Sequence, residues 1–166
     1  MDEKKKVDKP HYFGHRQRLR ERFLHHGANA MQDYELIELL LCLALPRRDV
    51  KPLAKQLMDV FGSYAEVISA ETDRLLEIKG MGETAVAAIK VAQASAQRLA
   101  REEIMGRKVL SNWKALLDYC RSIMAYEKNE QFRVLFLNQK NVLIADELMQ
   151  KGTVNHTPVY PREVIK

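Results

Sequence analysis

The chain has 166 residues, of which 46% are hydrophobic, enough for one or two small domains with a buried core. No apolar run approaches the ~20 residues that a membrane-spanning helix needs, and the polar N-terminus lacks the apolar segment of a signal peptide. The formal net charge of +5 is uneven, because residues 1–24 carry +4, residues 25–106 carry −3 and residues 107–166 carry +4. Cys42 and Cys120 lie in apolar contexts without a ligand motif, which is typical of reduced packing residues in a cytoplasmic protein.

The N-terminal segment predicts a charged arm followed by a basic helix. Residues 1–10 are charged and have no apolar period, so we expect a disordered arm. In the next segment four arginines alternate, among them Arg16 and Arg18, whereas Leu19 and Phe23 are spaced to face a core. Such a helix could follow a line of phosphates, or it could equally be a solvated helix with arginines on its exposed faces.

Three further helices are predicted before the central motif of the chain. The segment 34–45 is apolar nearly all round after Glu38, so we expect it to be the buried helix of its domain. Asp49 can cap a second helix over residues 50–60, and Ser63 can begin a short third one.

Residues 75–90 predict a helix, a turn with two glycines and a second helix. Gly80 and Gly82 bracket the turn, where a residue without Cβ takes a positive φ at little cost. Glu83 is well placed to open the second helix, because its charge complements the positive end of the helix dipole. The apolar face of this second helix consists of Ala85, Val86 and Ile89.

The geometry of this turn predicts an anion-binding site. Glycines at the start of a helix leave backbone N–H groups uncovered, and these groups bind phosphate together with the helix dipole. No side chain would read a base there, so a contact with DNA would be independent of sequence. Lys79 and Lys90 would add positive charge around the site. The alternative is a plain helical hairpin whose glycines only serve the turn.

The spacing of Ile78, the two glycines, Val86 and Ile89 resembles the helix-hairpin-helix motif of DNA repair and recombination proteins. That family binds the phosphate backbone through a Gly-hydrophobic-Gly hairpin, here Gly80-Met81-Gly82. A weak internal repeat places Pro46-Arg47-Arg48 at the equivalent turn of a first hairpin, as in the tandem helix-hairpin-helix domains of nucleotide excision repair nucleases. This first turn lacks glycines, so phosphate binding there would need the side chains of Arg47, Arg48 and Lys51.

After Gly106, where we place a domain boundary, the pattern changes from helical to mixed. The predicted elements are a helix over 113–125, strands over 130–138 and 142–149 joined by a turn at 138–141, and a helix that begins at residue 159. Two strands and the start of a helix bury a sheet face poorly. We therefore expect a protein partner or a second copy to pair with the exposed strand edge in 130–149.

Several short motifs, spread over essentially the whole chain, together point to one family. They are Gly14-His15-Arg16, residues 19–23, residues 35–41, Gly80-Met81-Gly82, residues 132–138 with Lys140-Asn141, residues 151–155, and Pro161-Arg162-Glu163-Val164. With these motifs the chain resembles the RadC family of bacterial proteins, historically labelled DNA repair proteins. The resemblance implies an α+β fold: an all-α helix-hairpin-helix domain over 11–106, then an incomplete MPN/JAB-like domain over 107–166.

The resemblance also implies a zinc site that this sequence does not contain. In the family, a His-x-His-Pro-Ser-Gly stretch and a following Asp bind zinc, and an upstream Glu acts as general acid or base; Glu130 matches that Glu by position. The ligand stretch would follow Lys166, and the residues around His156 do not match it. Because a zinc site needs three protein ligands, we expect no metal, no cofactor and no zinc-dependent hydrolysis in this chain, which would be a fragment or a truncated relative.

Three functional hypotheses follow. The leading one is a cytoplasmic, DNA-associated RadC-like protein that binds the DNA backbone without sequence preference through Gly80-Met81-Gly82, assisted by Lys79, Lys90, Arg16 and Arg18. One alternative is a zinc-dependent peptide or isopeptide hydrolase in a full-length form, with Glu130 catalytic only if the domain is completed. The other is a protein-interaction module, which the acidic middle of the chain favours. None of the three involves a membrane.

Overall fold

A computed structural model of the chain describes residues 14–127 and 129–152. Three predictions concern residues outside these ranges: the disordered arm at 1–10, the helix that begins at residue 159, and the absence of a ligand motif around His156. The described residues form seven α-helices and one antiparallel pair of strands, which confirms the α+β class. The chain divides into two compact units that meet between Val91 and Ala92, called unit 1 and unit 2 below.

Unit 1 is entirely helical in its described part. Its helices are α1 (His15–His26), α2 (Asp33–Ala44), α3 (Lys51–Phe61), α4 (Tyr64–Ser69), α5 (Thr72–Leu76) and the first part of α6 (Glu83–Ile104), which continues into unit 2. Helix α2 packs against α1, α3 and α4 and is the central element of the unit. None of the helices described is both long enough and apolar enough to cross a lipid bilayer.

The core of unit 1 is built from one apolar face of each helix. Removing these side chains from water supplies the main driving force for folding, at roughly 25 cal/mol for each Å² buried. The apolar faces predicted for the basic helix and for the hairpin are confirmed at Leu19, Ala85, Val86 and Ile89. The fully or nearly buried residues include Leu19, Ile37, Leu41, Val50, Leu53, Ala54, Leu57, Val67, Leu75, Ala85, Val86 and Ile89.

Helix α2 is buried on one face only, which corrects the expectation that it is buried nearly all round. Leu41 is fully buried, whereas Leu43, two residues later, is 72% exposed. Positions two apart point to nearly opposite sides of a helix, and α1, α3 and α4 cover only one of these sides. An apolar run shows that a helix has many apolar residues, but it does not show how many of its faces have neighbours.

Glu35 joins the start of α2 to α1. One carboxylate oxygen pairs with the Arg22 guanidinium, and the other accepts a hydrogen bond from the Gln32 backbone N–H at 3.0 Å. The Glu35 side chain is only 12% exposed. Burial raises the pKa of Glu35, but the hydrogen bonds from Arg22 and Gln32 and the charges of Arg22 and Lys51 outweigh burial, so that its pKa is lowered from 4.5.

This lowered pKa predicts a loss of stability in acid. Because the pKa of Glu35 is lower in the folded chain, its stabilising effect is complete above the unfolded value and is lost as pH falls through the folded value. Urea unfolding followed by far-UV circular dichroism should therefore show Glu35→Gln to be less stable than the parent at pH 7. The difference should shrink below pH 4. The exposed Glu77→Gln should give the same stability as the parent throughout, and a Glu35→Gln difference that persists unchanged at pH 3 would contradict the assignment.

Unit 2 consists of the end of α6, helix α7 (Trp113–Met124) and strands β1 (Gln131–Leu137) and β2 (Leu143–Lys151). The division between the units falls inside α6 because Ile104 shares a buried cluster with residues of α7 and β2 rather than with the hairpins. The buried members of this cluster are Ile104, Val109, Leu116, Tyr119 and Leu143.

The predicted strand hairpin is confirmed, with β1 and β2 antiparallel and two irregularities in their register. The side chain of Asn138 organises the turn, since its Oδ1 accepts hydrogen bonds from the backbone N–H groups of Lys140 at 2.9 Å and Val142 at 3.0 Å. Asn141 adopts a φ of 57°, a conformation that asparagine tolerates better than most residues. Pairing of the strand edge in 130–149 with a partner or a second copy stays a prediction.

A partly buried ion pair joins the two strands of unit 2 on the side that contacts α7. Arg133 of β1 donates two hydrogen bonds to Asp146 of β2, from Nε to Oδ1 at 3.1 Å and from Nη2 to Oδ2 at 2.8 Å, and the Tyr119 hydroxyl donates to the same carboxylate. The Asp146 side chain is 1% exposed. Burial raises the pKa of Asp146, but the hydrogen bonds from Arg133 and Tyr119 outweigh it and the pKa is lowered. Burial and the bond to Asp146 raise the pKa of Tyr119 to about 12.

Candidate nucleic-acid interface

The turn between α5 and α6 is the hairpin that the sequence predicts. The Met81 N–H donates to the Ile78 carbonyl at 2.9 Å, and the first bond of α6 runs from the Val86 N–H to the Gly82 carbonyl at 3.0 Å. The Met81 side chain is buried, so it anchors the turn in the core and leaves only its backbone for a ligand. The hydrophobic residue between the glycines therefore has a packing role.

The two glycines of the turn serve different purposes. Gly80 has a φ of +102°, which favours glycine, and its Cα faces the guanidinium of Arg48. Gly82 is exposed, lies outside the positive-φ set, and has nothing within 4 Å of the position that a Cβ would occupy. The fold thus requires glycine at position 80 but not at position 82, which corrects the expectation that both glycines serve the turn through positive φ.

The start of α6 presents backbone donors to solvent. Gly82, Glu83 and Thr84 are exposed, and among the hydrogen bonds of the described residues none uses their N–H groups as donors. The first N–H groups of any helix lack partners within the helix and carry the positive end of its dipole. With no side chain at Gly82, an oxyanion can approach these groups closely.

The turn of the first hairpin touches the turn of the second. Arg48 Nη1 donates to the Gly80 carbonyl at 2.8 Å, and a Cβ built on Gly80 would overlap Nη2 and come within 3.1 Å of Cζ. The two turns, 32 residues apart in the chain, thereby form one surface. The internal repeat suggested a paired arrangement, but no local pattern in the sequence could show that Arg48 would lie on Gly80.

Arg16 is committed to the backbone of the first hairpin. Its guanidinium donates to the carbonyls of Cys42 at 3.3 Å, Leu45 at 2.9 Å and Pro46 at 2.7 Å, and also to the Arg48 carbonyl. Carbonyl groups at a helix end have no partner within the helix, so a cation there is favourable. The structure therefore places Arg16 as a cap for the end of α2, a role that the alternation of arginines did not suggest.

The other residues of the predicted DNA surface are more scattered. Lys79 is exposed directly before the turn, and Arg18 is exposed on α1, where its guanidinium lies 3.1 Å from the Cβ position of Gly14. Lys90 is half-buried on α6, roughly 10 Å along the helix axis from Glu83. Of these three side chains, only Lys79 adjoins the turn in sequence, and no contact described here brings Arg18 to it.

A cavity of about 490 Å³ lies beside the first hairpin. At its wall, Glu38 is buried and its Oε1 lies 2.7 Å from His15 Nε2, while its Oε2 has no hydrogen-bond partner among the described residues. Burial raises the pKa of the Cys42 thiol, which suits a packing residue rather than a nucleophile. The lining residues include Gly14, His15, Glu38, Cys42, Pro46 and Val50.

The described part of unit 2 does not fit a zinc site. Glu130 is exposed at the start of β1, and its carbonyl accepts a hydrogen bond from the Gly152 N–H at 2.8 Å. Within residues 14–127 and 129–152, no three His, Cys, Asp or Glu side chains converge closely enough to hold a metal ion. We therefore derive no metal chemistry from these residues, and a catalytic role of Glu130 stays a prediction.

Comparison with known proteins finds a family match for each part of the chain. The family described as UPF0758 N-terminal matches residues 12–87, and the family described as RadC-like JAB domain matches residues 110–166. A UPF0758 protein of Rhodobacter capsulatus is 61% identical over 148 residues, which cover 89% of this chain and 69% of that protein. A UPF0758 protein of Ruegeria pomeroyi is 56% identical over 152 residues, which cover 92% of this chain and 68% of that protein.

The chain belongs to the RadC-like UPF0758 family. This confirms the resemblance inferred from the motifs of the sequence. No solved structure matches the chain.

Proposed function

We propose that unit 1 binds the sugar-phosphate backbone of DNA, without sequence preference, at the start of α6. The observation that carries the proposal is Gly82, which is exposed and which the fold does not require to be glycine. A missing side chain at that position is what a close approach of phosphate to the N–H groups of Gly82, Glu83 and Thr84 needs. Lys79, exposed beside the turn, adds a cation to the same surface.

The binding mode predicts what kind of DNA recognition unit 1 can achieve. Contacts from backbone N–H groups to phosphate position a protein on the duplex but carry no base information. Affinity should therefore be similar for unrelated sequences and should fall steeply as salt rises, because each neutralised phosphate releases counterions. Binding that is insensitive to salt would favour the interaction-module alternative instead.

A substitution at Gly82 tests the proposal without disturbing the turn. Gly82→Asp places a carboxylate where phosphate is expected, while aspartate remains a favourable residue before a helix and its Cβ meets open space. We expect DNA affinity to fall by at least about tenfold, equivalent to roughly 1.4 kcal/mol, with unchanged helical circular dichroism. Fluorescence anisotropy with a labelled duplex at several salt concentrations measures the affinity.

The matched control is Thr72→Asp, which adds the same charge to the exposed first position of another helix, α5. This variant should bind DNA within about twofold of the parent, because an exposed charge outside the proposed site is largely screened by salt. Equal affinities of the parent and Gly82→Asp would contradict the proposed site. Equal losses in both aspartate variants would show a general charge effect and would also contradict it.

A further inference from the structure

The first hairpin has the position of a DNA-binding hairpin but lacks the glycines for that role. Its turn, Pro46-Arg47-Arg48, is exposed but carries a side chain at every position. The side chain of Arg48 instead covers Gly80, and the carbonyl of Arg48 accepts a hydrogen bond from Arg16. A chain of contacts therefore connects α1 to the first turn, through Arg16, and the first turn to the second, through Arg48.

We propose that Arg48 is a positioning residue for the phosphate site, so that the first hairpin braces the second instead of binding DNA itself. The inference rests on the proposed function, because it assigns Arg48 a role in the same site. The Gly80 carbonyl has no helix partner of its own, and the Arg48 guanidinium supplies a planar, charged donor that also packs on the glycine Cα. This contact restrains the turn whose next residues present the N–H groups.

Arg16 extends the same restraint to the first turn. Its guanidinium bridges four carbonyls between Cys42 and Arg48, a fan of acceptors that the single ammonium of a lysine cannot reproduce. Fixing the Arg48 backbone limits where its side chain can lie. Arg16 is therefore a second positioning residue, placed one contact further from the site.

The test compares Arg48→Gln with Arg47→Gln, which removes the same charge from the neighbouring exposed residue. We expect Arg48→Gln to weaken binding to a labelled duplex about 3- to 10-fold more than Arg47→Gln does, as the loss of one solvent-exposed hydrogen bond implies. Amide hydrogen exchange at Met81, whose N–H donates to the Ile78 carbonyl, and at Val86, whose N–H donates to the Gly82 carbonyl, should accelerate in Arg48→Gln and remain parental in Arg47→Gln. Arg16→Gln should change exchange and affinity in the same direction as Arg48→Gln.

The salt dependence of binding separates positioning from direct contact. A residue that only positions the turn leaves the slope of log affinity against log salt unchanged, whereas a phosphate ligand lowers it by about 0.9. A slope reduced by that amount in Arg48→Gln, an affinity equal to that of Arg47→Gln, or unchanged exchange at Met81 and Val86 would each overturn the inference. If the parent chain fails to bind DNA at all, the proposed function fails first, and the exchange measurement still decides whether Arg48 restrains the turn.

Discussion

Replacing Asp146 with alanine should lower the free energy of unfolding of unit 2 by up to about 3–5 kcal/mol, because it leaves the partly buried Arg133 guanidinium without its counterion. The Arg133 and Asp146 side chains are 21% and 1% exposed, so water cannot replace the lost partner easily. The Tyr119 hydroxyl loses its acceptor in the same variant. Hydrogen exchange of peptides from β1 and β2 in increasing urea measures the effect within unit 2.

Asp118→Ala is the matched control, because Asp118 lies on the exposed side of α7 with Arg121 at 3.8 Å. Exposed pairs of this kind contribute about 0–1 kcal/mol, so the control should unfold close to the parent. Exchange in β1 and β2 that is no faster in Asp146→Ala than in Asp118→Ala would show that the ion pair does not stabilise the strand pair. Exchange in unit 1 should be unchanged in both variants.

The second large effect is expected in unit 1, at the buried face of α2. Leu41→Ala should cost about 2–5 kcal/mol, because it removes a fully buried side chain and leaves a cavity between packed helices. Leu43→Ala, two residues along the same helix at a 72% exposed position, should change stability by about 0.5 kcal/mol or less. Urea unfolding of both variants, followed by far-UV circular dichroism, measures the two stabilities. Because both changes are leucine to alanine in the same helix, only the burial of the side chain differs.

This pair also tests a correction to the sequence analysis. The apolar run from Leu39 to Leu45 predicted a helix covered on most sides, and under that interpretation both substitutions would be costly. Similar losses of stability in Leu41→Ala and Leu43→Ala would support that interpretation instead, and would imply that another surface covers Leu43 in solution.

Local patterns predicted most of the elements, because caps, turn residues and apolar spacing act over a few residues. The Gly80 turn, the start of α6 at Glu83, and the strands joined at Asn138 all depend on such short-range signals. The family also followed from motifs, since the residues that carry it stand together in the sequence.

The parts that sequence reasoning missed involve residues far apart in the chain. Arg16 acts on carbonyls about 30 positions away, and Arg48 acts on Gly80 over a similar separation. Alternating arginines show a basic helix, but the pattern cannot distinguish a guanidinium facing DNA from one facing the backbone of a neighbouring helix. Likewise, Gly80 and Gly82 look equivalent in the sequence, and only their surroundings separate the structural glycine from the exposed one.

The turn held by Asn138 has a consequence for the order in which unit 2 folds. Its side chain secures a loop of only a few residues, so bringing β1 and β2 together requires little loss of chain entropy. Hairpins with such local contacts form within about 1–10 μs. The ion pair between Arg133 and Asp146 spans this same hairpin, whereas its bond to Tyr119 awaits the docking of α7. We therefore expect the strand pair to form first and α7 to dock on it afterwards. Asn138→Ala should then slow folding more than it speeds unfolding.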